Sequence, residues 1–225
     1  MLTLTSLRPL MENKGTIGPR LSIRIIEETE RMARESAEGQ ALEIGWRQDN
    51  VTDLDDSDYL DMVLKKTCWL ATIYPSRVGA LIGTRADIDL DPFIRFGFFL
   101  GAAFQIQDDL LNLVADKRYG KELNGDILEG KRTLMLIRLL QEATPDEHTQ
   151  LSALLRLPRE ERTVAQVQWV RQLMDVYGCL EYARQIAHGL AGAALHEYSL
   201  IYAKLPDSRD KRFIEGLVTW VFERT

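Results

Sequence analysis

The sequence has few of the residues that build metal-thiolate sites or disulfide frameworks. It contains two cysteines and three histidines among 225 residues. Cys68 and Cys179 lie far apart, each inside an apolar, helix-like segment, so we expect buried free thiols. The histidines show no metal-ligand spacing. We therefore expect neither a zinc site nor a disulfide-stabilised fold.

An excess of positive charge and a long hydrophobic run are also missing. The chain has 28 Lys and Arg against 34 Asp and Glu, a net charge of −6 and no basic stripe, so no nucleic-acid partner is expected. Its longest apolar run is interrupted by Arg95 and Gln105, which leaves it too short to span a membrane. The N-terminus carries no basic and apolar targeting signal. We expect one soluble, cytoplasmic domain.

Strand signals are nearly absent, and apolar residues recur at helical spacing, which predicts an all-α fold. Residues 1–19 are expected to be poorly ordered and 20–225 to form one helical domain. The segment 92–115 is apolar on nearly every side, so this central helix must be surrounded by others. The predicted helices are about 21–46, 59–83 with a break or kink at Pro75, 92–115, 131–142, 146–156, 162–190, 191–203 and 208–223.

A polar stripe occupies the end of this apolar helix. On a 3.6-residue helix Gln105, Asp108 and Asn112 share one face, and Asp109 lies about 100° further round. Burying carboxylates costs free energy unless cations neutralise them. Paired carboxylates suit Mg²⁺, which completes its shell with water and phosphate oxygens. The alternative is that the aspartates simply face solvent, and the stripe alone does not decide between the two.

Cations both follow and precede this stripe. Lys121 and Lys131 lie in a glycine-punctuated segment, where they would complement an acidic metal site with a diphosphate between them. The alternative is a solvated loop. Lys66 and Thr67 lie on an otherwise apolar helix upstream, where the alternative is lysines that snorkel to the surface.

Four stretches together carry a family resemblance. They are Gly39 to Arg47 (GQALEIGWR), Tyr59 to Thr67, Phe104 to Asn112 (FQIQDDLLN) and Gly120 to Lys131. In order and spacing the chain resembles the trans-isoprenyl diphosphate synthases, the polyprenyl synthetase family, over about residues 20–220. The geranylgeranyl diphosphate synthase type is the most similar.

The resemblance implies the C-terminal portion of an isoprenoid-synthase helical bundle. It implies a Mg²⁺-dependent prenyltransferase that condenses isopentenyl diphosphate with an allylic diphosphate and works as a homodimer or as a heterodimer with a related synthase. Aromatic side chains such as Phe98, Phe99 and Phe104 could stabilise a carbocation, although ordinary core packing explains each one. The implied metal ligands are Asp108, Asp109 and Asn112, the implied catalytic residues are Asp108, Asp109 and Lys66, and the implied diphosphate contacts are Lys66, Thr67, Gln105, Lys121 and Lys131.

Two departures from the family pattern qualify this expectation. Asn112 stands where the family usually has a third aspartate, and an amide is a weaker ligand for a hard cation. The family's first aspartate-rich motif is missing, so the chain is expected to be N-terminally truncated relative to the family, with one face of the 93–103 segment uncovered. The acidic cluster Asp53 to Asp61 is interpreted as a helix N-terminus instead. The alternatives are a catalytically impaired partner or regulatory subunit, or a terpene synthase-like enzyme.

Overall fold

A computed structural model describes residues 7–114, 123–203 and 205–223 and shows an all-α architecture, with no strand among these residues. One segment is π-helical and connects two α-helices without a break. The elements are α1 (Arg8–Ile17), α2 (Pro19–Gln48), α3 (Asp56–Val63), the π-helix (Leu64–Ile73), α4 (Tyr74–Gly83), α5 (Pro92–Val114), α6 (Gly125–Glu129), α7 (Leu134–Glu142), α8 (Pro145–Arg156), α9 (Val164–Val176), α10 (Cys179–Ile201) and α11 (Arg209–Glu223).

The acidic cluster before α3 forms a helix cap. The side chain of Asp55 accepts hydrogen bonds from the backbone N–H groups of Ser57 and Asp58, and the side chain of Asp58 accepts one from the backbone of Asp55. This capping box satisfies backbone donors that a helix start leaves unpaired. Asp56 lies in the first turn and accepts a hydrogen bond from the hydroxyl of Tyr182. These contacts match the interpretation of the cluster as a helix N-terminus.

The helix that begins at α3 widens into the π-helix, where the N–H of Tyr74 bonds to the carbonyl of Trp69, five residues back. The predicted break at Pro75 coincides with the return to α-helical winding at α4, and the helix continues through it.

Single glycines bring the π-helix close to its neighbouring helices. A Cβ added at Gly39 of α2 would lie 2.3 Å from the backbone nitrogen of Lys66, and one at Gly101 of α5 would lie 2.8 Å from the Sγ of Cys68. Glycine therefore permits the close packing of α2, the π-helix and α5.

Helix α5 is the buried centre of the fold, as its apolar sequence predicts. Phe93 and Phe96 make edge-on ring contacts with Tyr202 of the α10 end, and Phe96 also lies 6.3 Å from the ring of Tyr198. Val218 of α11 belongs to the same apolar cluster. The expected uncovered face along 93–103 is reduced rather than absent: α10, α11 and the π-helix cover most of this helix, while Ile94, Phe98 and Phe99 stay partly exposed.

Three other boundaries differ from the sequence-based expectation. Residues 8–17, inside the segment expected to be poorly ordered, form α1. The break predicted at residue 190 lies instead at Gly178, which adopts φ +63° between α9 and α10. Lys131 precedes α7, which begins only at Leu134 after a cap by the Thr133 side chain. Within the described residues, no helix combines the length and apolarity needed to cross a membrane.

Candidate functional site

The carboxylate of Asp109 lies at the centre of a buried polar cluster. Its Oδ1 accepts hydrogen bonds from Nε2 of Gln105 at 2.8 Å and from Nζ of Lys131 at 2.7 Å. Its Oδ2 accepts one from the hydroxyl of Tyr59 at 2.9 Å. Asp109 is 1% exposed, whereas its neighbour Asp108 is half-buried. The two adjacent aspartates therefore differ in burial, and both oxygens of Asp109 accept hydrogen bonds from side chains elsewhere in the fold.

Lys131 connects Asp109 to a second acid. Its Nζ lies 3.6 Å from Oδ2 of Asp126 in α6. Burial alone would lower the pKa of Lys131, but the carboxylates of Asp109 and Asp126 raise it well above its usual range. Burial, reinforced by the negative charge of Asp109, raises the pKa of Asp126 to about 6. One lysine thus faces two partly desolvated carboxylates, an arrangement that favours a further cation nearby.

Thr67 and Gln105 extend the cluster to the π-helix. The hydroxyl of Thr67 donates to Oε1 of Gln105 at 2.8 Å, and Gln105 in turn donates to Asp109. The two hydrogen bonds fix the orientation of the Gln105 amide, because its oxygen and nitrogen each have one partner. A continuous path of hydrogen bonds therefore runs from Thr67 through Gln105 and Asp109 to Lys131.

Lys66, the residue before Thr67, points to α2 instead. Its Nζ lies 2.5 Å from Oε2 of Glu43, a side chain that is almost fully buried. Gln40 also approaches this oxygen, at 3.5 Å, while the buried Oε1 of Glu43 has no hydrogen-bond partner in the part of the chain that the structure describes. Lys66 retains partial exposure. Lys66 is therefore paired with a buried carboxylate while its side chain stays partly exposed.

Asn112 has a structural task in this arrangement. Its Oδ1 accepts a hydrogen bond from the backbone N–H of Asp126 at 3.0 Å, and its carbonyl accepts one from Asn124 at 2.9 Å. Both contacts join the end of α5 to the start of α6 and so place Asp126 beside Lys131. Lys121, which the sequence predicts to contact diphosphate, lies outside the described residues.

The structure thus brings four predicted residues into one hydrogen-bonded cluster, pairs Lys66 with Glu43 of α2, and adds residues that the sequence analysis did not assign. Tyr59, Glu43 and Asp126 lie inside the stretches that carry the family resemblance, which is the signal that could have identified them. Arg132 is almost completely buried and donates to the carbonyls of Val51 and Gly130 and to Oδ1 of Asn50. Arg132 therefore fixes the turn that presents Lys131. The four clustered residues are Thr67, Gln105, Asp109 and Lys131.

The donor set can be compared with what Mg²⁺ requires. Among the described residues, no group of three or more His, Cys, Asp or Glu side chains is arranged to hold a metal ion. Mg²⁺ needs only one or two protein carboxylates when phosphate oxygens and water complete its octahedron. The half-buried Asp108, which precedes Asp109 in sequence, is a carboxylate of the kind that this requirement needs. The residues present thus fit a cation that is shared with a phosphate-bearing ligand.

Comparison with known proteins identifies the family. A family model described as polyprenyl synthetase matches residues 4–174. The chain belongs to the polyprenyl synthetase family. This membership confirms the resemblance derived from the sequence and extends the matched region toward the N-terminus.

Individual relatives of this polyprenyl synthetase family member support the same assignment. A short chain isoprenyl diphosphate synthase of Methanothermobacter thermautotrophicus is 33% identical over 151 residues, which are 67% of this chain and 44% of the relative. The crystal structure of a geranylgeranyl pyrophosphate synthetase from Pyrococcus horikoshii superposes with a TM-score of 0.76 at 26% identity, over 92% of this chain and 61% of that one. A polyprenyl synthase from Caulobacter crescentus, complexed with calcium and isoprenyl diphosphate, gives a TM-score of 0.74 at 26% identity, over 89% and 59%.

These comparisons confirm the all-α isoprenoid synthase fold. They also show that the chain spans 44% of the length of the Methanothermobacter relative and about 60% of the two solved structures.

Proposed function

We propose that this chain provides the allylic-diphosphate half of a prenyltransferase site of the geranylgeranyl diphosphate synthase type. The reaction joins isopentenyl diphosphate to an allylic diphosphate and releases inorganic diphosphate. The observation that carries the proposal is the path of hydrogen bonds from Thr67 to Lys131, with Asp109 buried at its centre and Asp108 half-buried beside it. Family membership supplies the reaction class.

The chain's own residues have distinct tasks in this proposal. Lys66 and Lys131 supply the positive charge that binds the diphosphate, and Thr67 adds a hydroxyl. Glu43 neutralises Lys66 before the substrate arrives, since the two groups form a contact of 2.5 Å. Asp109 positions Lys131 and Gln105.

We propose that Asp108 holds Mg²⁺, together with oxygens of the diphosphate. Asp109 and Asn112, the other two ligands implied by the resemblance, make protein contacts through Oδ1 and are proposed as positioning residues. When bound, Mg²⁺ would withdraw charge from the departing diphosphate. Lys121 stays a predicted diphosphate contact.

An apolar cavity gives room for the hydrocarbon part of a substrate. It has a volume of about 660 Å³, within the usual range for small-molecule sites, and lies between α4, α5 and the last two helices. Leu100 of α5 borders the cavity. Phe104 and Asp108 follow Leu100 at intervals of four residues, so the three lie along one side of the helix. The eight helical rises between Leu100 and Asp108 correspond to about 12 Å. We propose that a prenyl tail extends from the diphosphate site along this side of α5 toward the cavity.

A second candidate function is a partner subunit that supports a complete synthase. The observation in its favour is that Asp55 and Asp58, the other acidic cluster, are used in a helix cap rather than in a facing metal motif.

Dimerisation is part of both candidates. Met11, Ile23 and Ile26 are exposed apolar residues on α1 and α2 and offer a surface for a second subunit. A cytoplasmic location stays a prediction.

The decisive experiment compares two adjacent lysines. The purified chain is mixed with isopentenyl and farnesyl diphosphates and Mg²⁺, and both product formation and Mg²⁺-dependent diphosphate binding are measured. We expect measurable binding with weak turnover, and about tenfold weaker binding in Lys66→Gln. Lys65→Gln is the matched control, because Lys65 pairs with Glu38 at the surface.

Efficient product formation by the chain alone would rule out the partner-subunit candidate. Absence of both turnover and Mg²⁺-dependent diphosphate binding would rule out the enzyme for this chain. Equal effects of the two lysine substitutions would argue against the proposed role of Lys66.

A further inference from the structure

A second concentration of positive charge lies outside the candidate active site. A pocket of about 370 Å³ opens between the C-terminal end of α2, α6 and the connection from α8 to α9. Four arginines line it, and Glu129 is the single acid among its lining residues. The four, here called the arginine pocket, are Arg47, Arg156, Arg159 and Arg162.

Basic residues outnumber acidic ones in the lining of the arginine pocket. Glu129 lies 3.1 Å from Arg159 and 3.9 Å from Arg47, so one carboxylate is shared by two guanidinium groups. The lining contains four arginines and one acid, although the chain as a whole has a net charge of −6. A local excess of arginine over acid attracts anions.

Arg162 uses its guanidinium on backbone carbonyls rather than on acids. Its Nη1 donates to the carbonyls of Ile127 and Leu128, and its Nη2 donates to that of Leu155. These hydrogen bonds hold the guanidinium in place but leave its charge unneutralised. Burial, followed by the charge of Arg47, lowers the pKa of Arg162. The lowering by Arg47 indicates that the two cations repel each other at this position.

Two donors in the pocket have no partner. The Nε atoms of Arg47 and Arg162 are buried and form no hydrogen bond within the described part of the chain. Buried donors without partners cost free energy, and native structures usually provide a partner for them. A ligand with several acceptor oxygens would relieve this cost once the side chains adjusted around it.

We propose that the arginine pocket binds a small phosphate-class anion, such as inorganic phosphate or diphosphate. Guanidinium groups present planar pairs of donors that match phosphate oxygens, and several of them converge here. The site is separate from the candidate active site. The turn Gly130–Arg132 lies between them, with Lys131 directed to Asp109 on one side and the guanidinium of Arg162 packed against Gly130 on the other. The proposal does not depend on the proposed prenyltransferase function.

Binding is measured by isothermal titration calorimetry with the full 225-residue chain in EDTA. Removing divalent metals suppresses binding through the candidate metal site. Inorganic phosphate and diphosphate are titrated separately at constant ionic strength, and sodium acetate serves as the non-phosphate anion. We expect saturable binding of at least one of the two phosphate ligands and none of acetate.

Two substitutions should change the affinity for the anion in opposite directions, and together they identify the site. Arg159→Gln removes a cation and should weaken binding about tenfold. Glu129→Gln removes the competing acid and should strengthen it. A general loss of structure would weaken binding in both variants, so the pair separates charge from folding. Arg184→Gln, at an exposed arginine that pairs with Glu181, should bind as the native chain does. Lys66→Gln reports any anion that binds at the candidate active site instead.

Several results would overturn the proposal. One is the absence of phosphate or diphosphate binding by the native chain at millimolar concentrations. Another is loss of binding in Lys66→Gln with binding retained in Arg159→Gln, which would place the anion in the candidate active site. A third is weakening of similar size in both Arg159→Gln and Glu129→Gln. Acetate binding equal to phosphate binding would show general anion attraction only.

Discussion

The hydroxyl of Tyr59 donates a hydrogen bond of 2.9 Å to the carboxylate of Asp109, and these two side chains from α3 and α5 are almost completely buried. The contact ties the start of the long helix α3–α4 to the polar end of α5. It also supplies one partner of a charged group that has no access to solvent. Burial, followed by the negative charge of Asp109, raises the pKa of Tyr59 well above its usual range, so the phenol keeps its proton and remains a donor.

The substitution Tyr59→Phe removes this donor and leaves the shape nearly unchanged. We expect a loss of about 1–3 kcal/mol in the free energy of unfolding, because Oδ2 of Asp109 then has no tyrosine partner. Urea unfolding followed by circular dichroism measures it. Tyr177→Phe is the matched control, since that hydroxyl contacts Glu147 at the surface, and it should cost clearly less. Equal losses in the two variants would contradict the importance of the buried contact.

Lys131→Met tests the cation at the centre of the site. Asp109 and Asp126 would lose their shared partner, and removing one member of a buried ion pair costs about 3–5 kcal/mol. Chemical unfolding reports this loss, and Mg²⁺-dependent diphosphate binding should fall in parallel. In the double variant Lys131→Met with Asp109→Asn, part of the stability should return because the buried charge is gone. If the double variant is less stable than the single one, the charge argument fails.

Gly39→Ala tests the close approach of α2 to the π-helix. The added Cβ would lie 2.3 Å from the backbone nitrogen of Lys66, so the helices must separate. We expect a loss of about 1–3 kcal/mol in thermal or chemical unfolding, together with weaker diphosphate binding. Gly192→Ala in α10 has open space around the new Cβ and should gain about 0.5–1 kcal/mol from better helix formation. Stabilisation by Gly39→Ala would refute the packing described here.

The two cysteines should be unreactive in the folded protein. Burial raises the pKa of Cys68 far above its usual range and that of Cys179 to about 11, so both remain protonated at pH 8. The thiolate is the reactive form, and access is also blocked. Titration with Ellman's reagent should detect almost no thiol in the native state and two per chain after unfolding. Rapid native labelling at pH 8 would show that at least one thiol is more accessible than its burial implies.

Local sequence signals predict the central helix well. Pro92 suits a first helical turn, and the nearly unbroken apolar run after it predicts both the existence and the burial of α5. The boundary between α9 and α10 at Gly178 is not predicted by the same signals, because the helical pattern of apolar residues is continuous except at Tyr177 and Gly178. One residue in the left-handed region is enough to separate α9 from α10.

The candidate site shows where sequence reasoning stops. Gln105, Asp109 and Lys131 are predictable as polar residues in an apolar setting, and the structure brings them together. The different surroundings of Asp108 and Asp109 are not predictable from their adjacency. They depend on Tyr59 and Lys131, which are 50 and 22 positions from Asp109. Contacts over such distances are decided by tertiary packing.

The π-helix between Leu64 and Ile73 makes this segment unusually sensitive to chain length. Its wider winding accommodates more residues per turn than an α-helix of the same path. Deleting one residue after Thr67 would let the segment return to α-helical winding without interrupting the continuous helix from α3 to α4. Such a deletion would change the direction of the side chains inside the rewound segment, among them Lys66 and Thr67, and so disturb their contacts with Glu43 and Gln105. In this protein, a change in residue count would therefore disable the site while the helix that carries it survives.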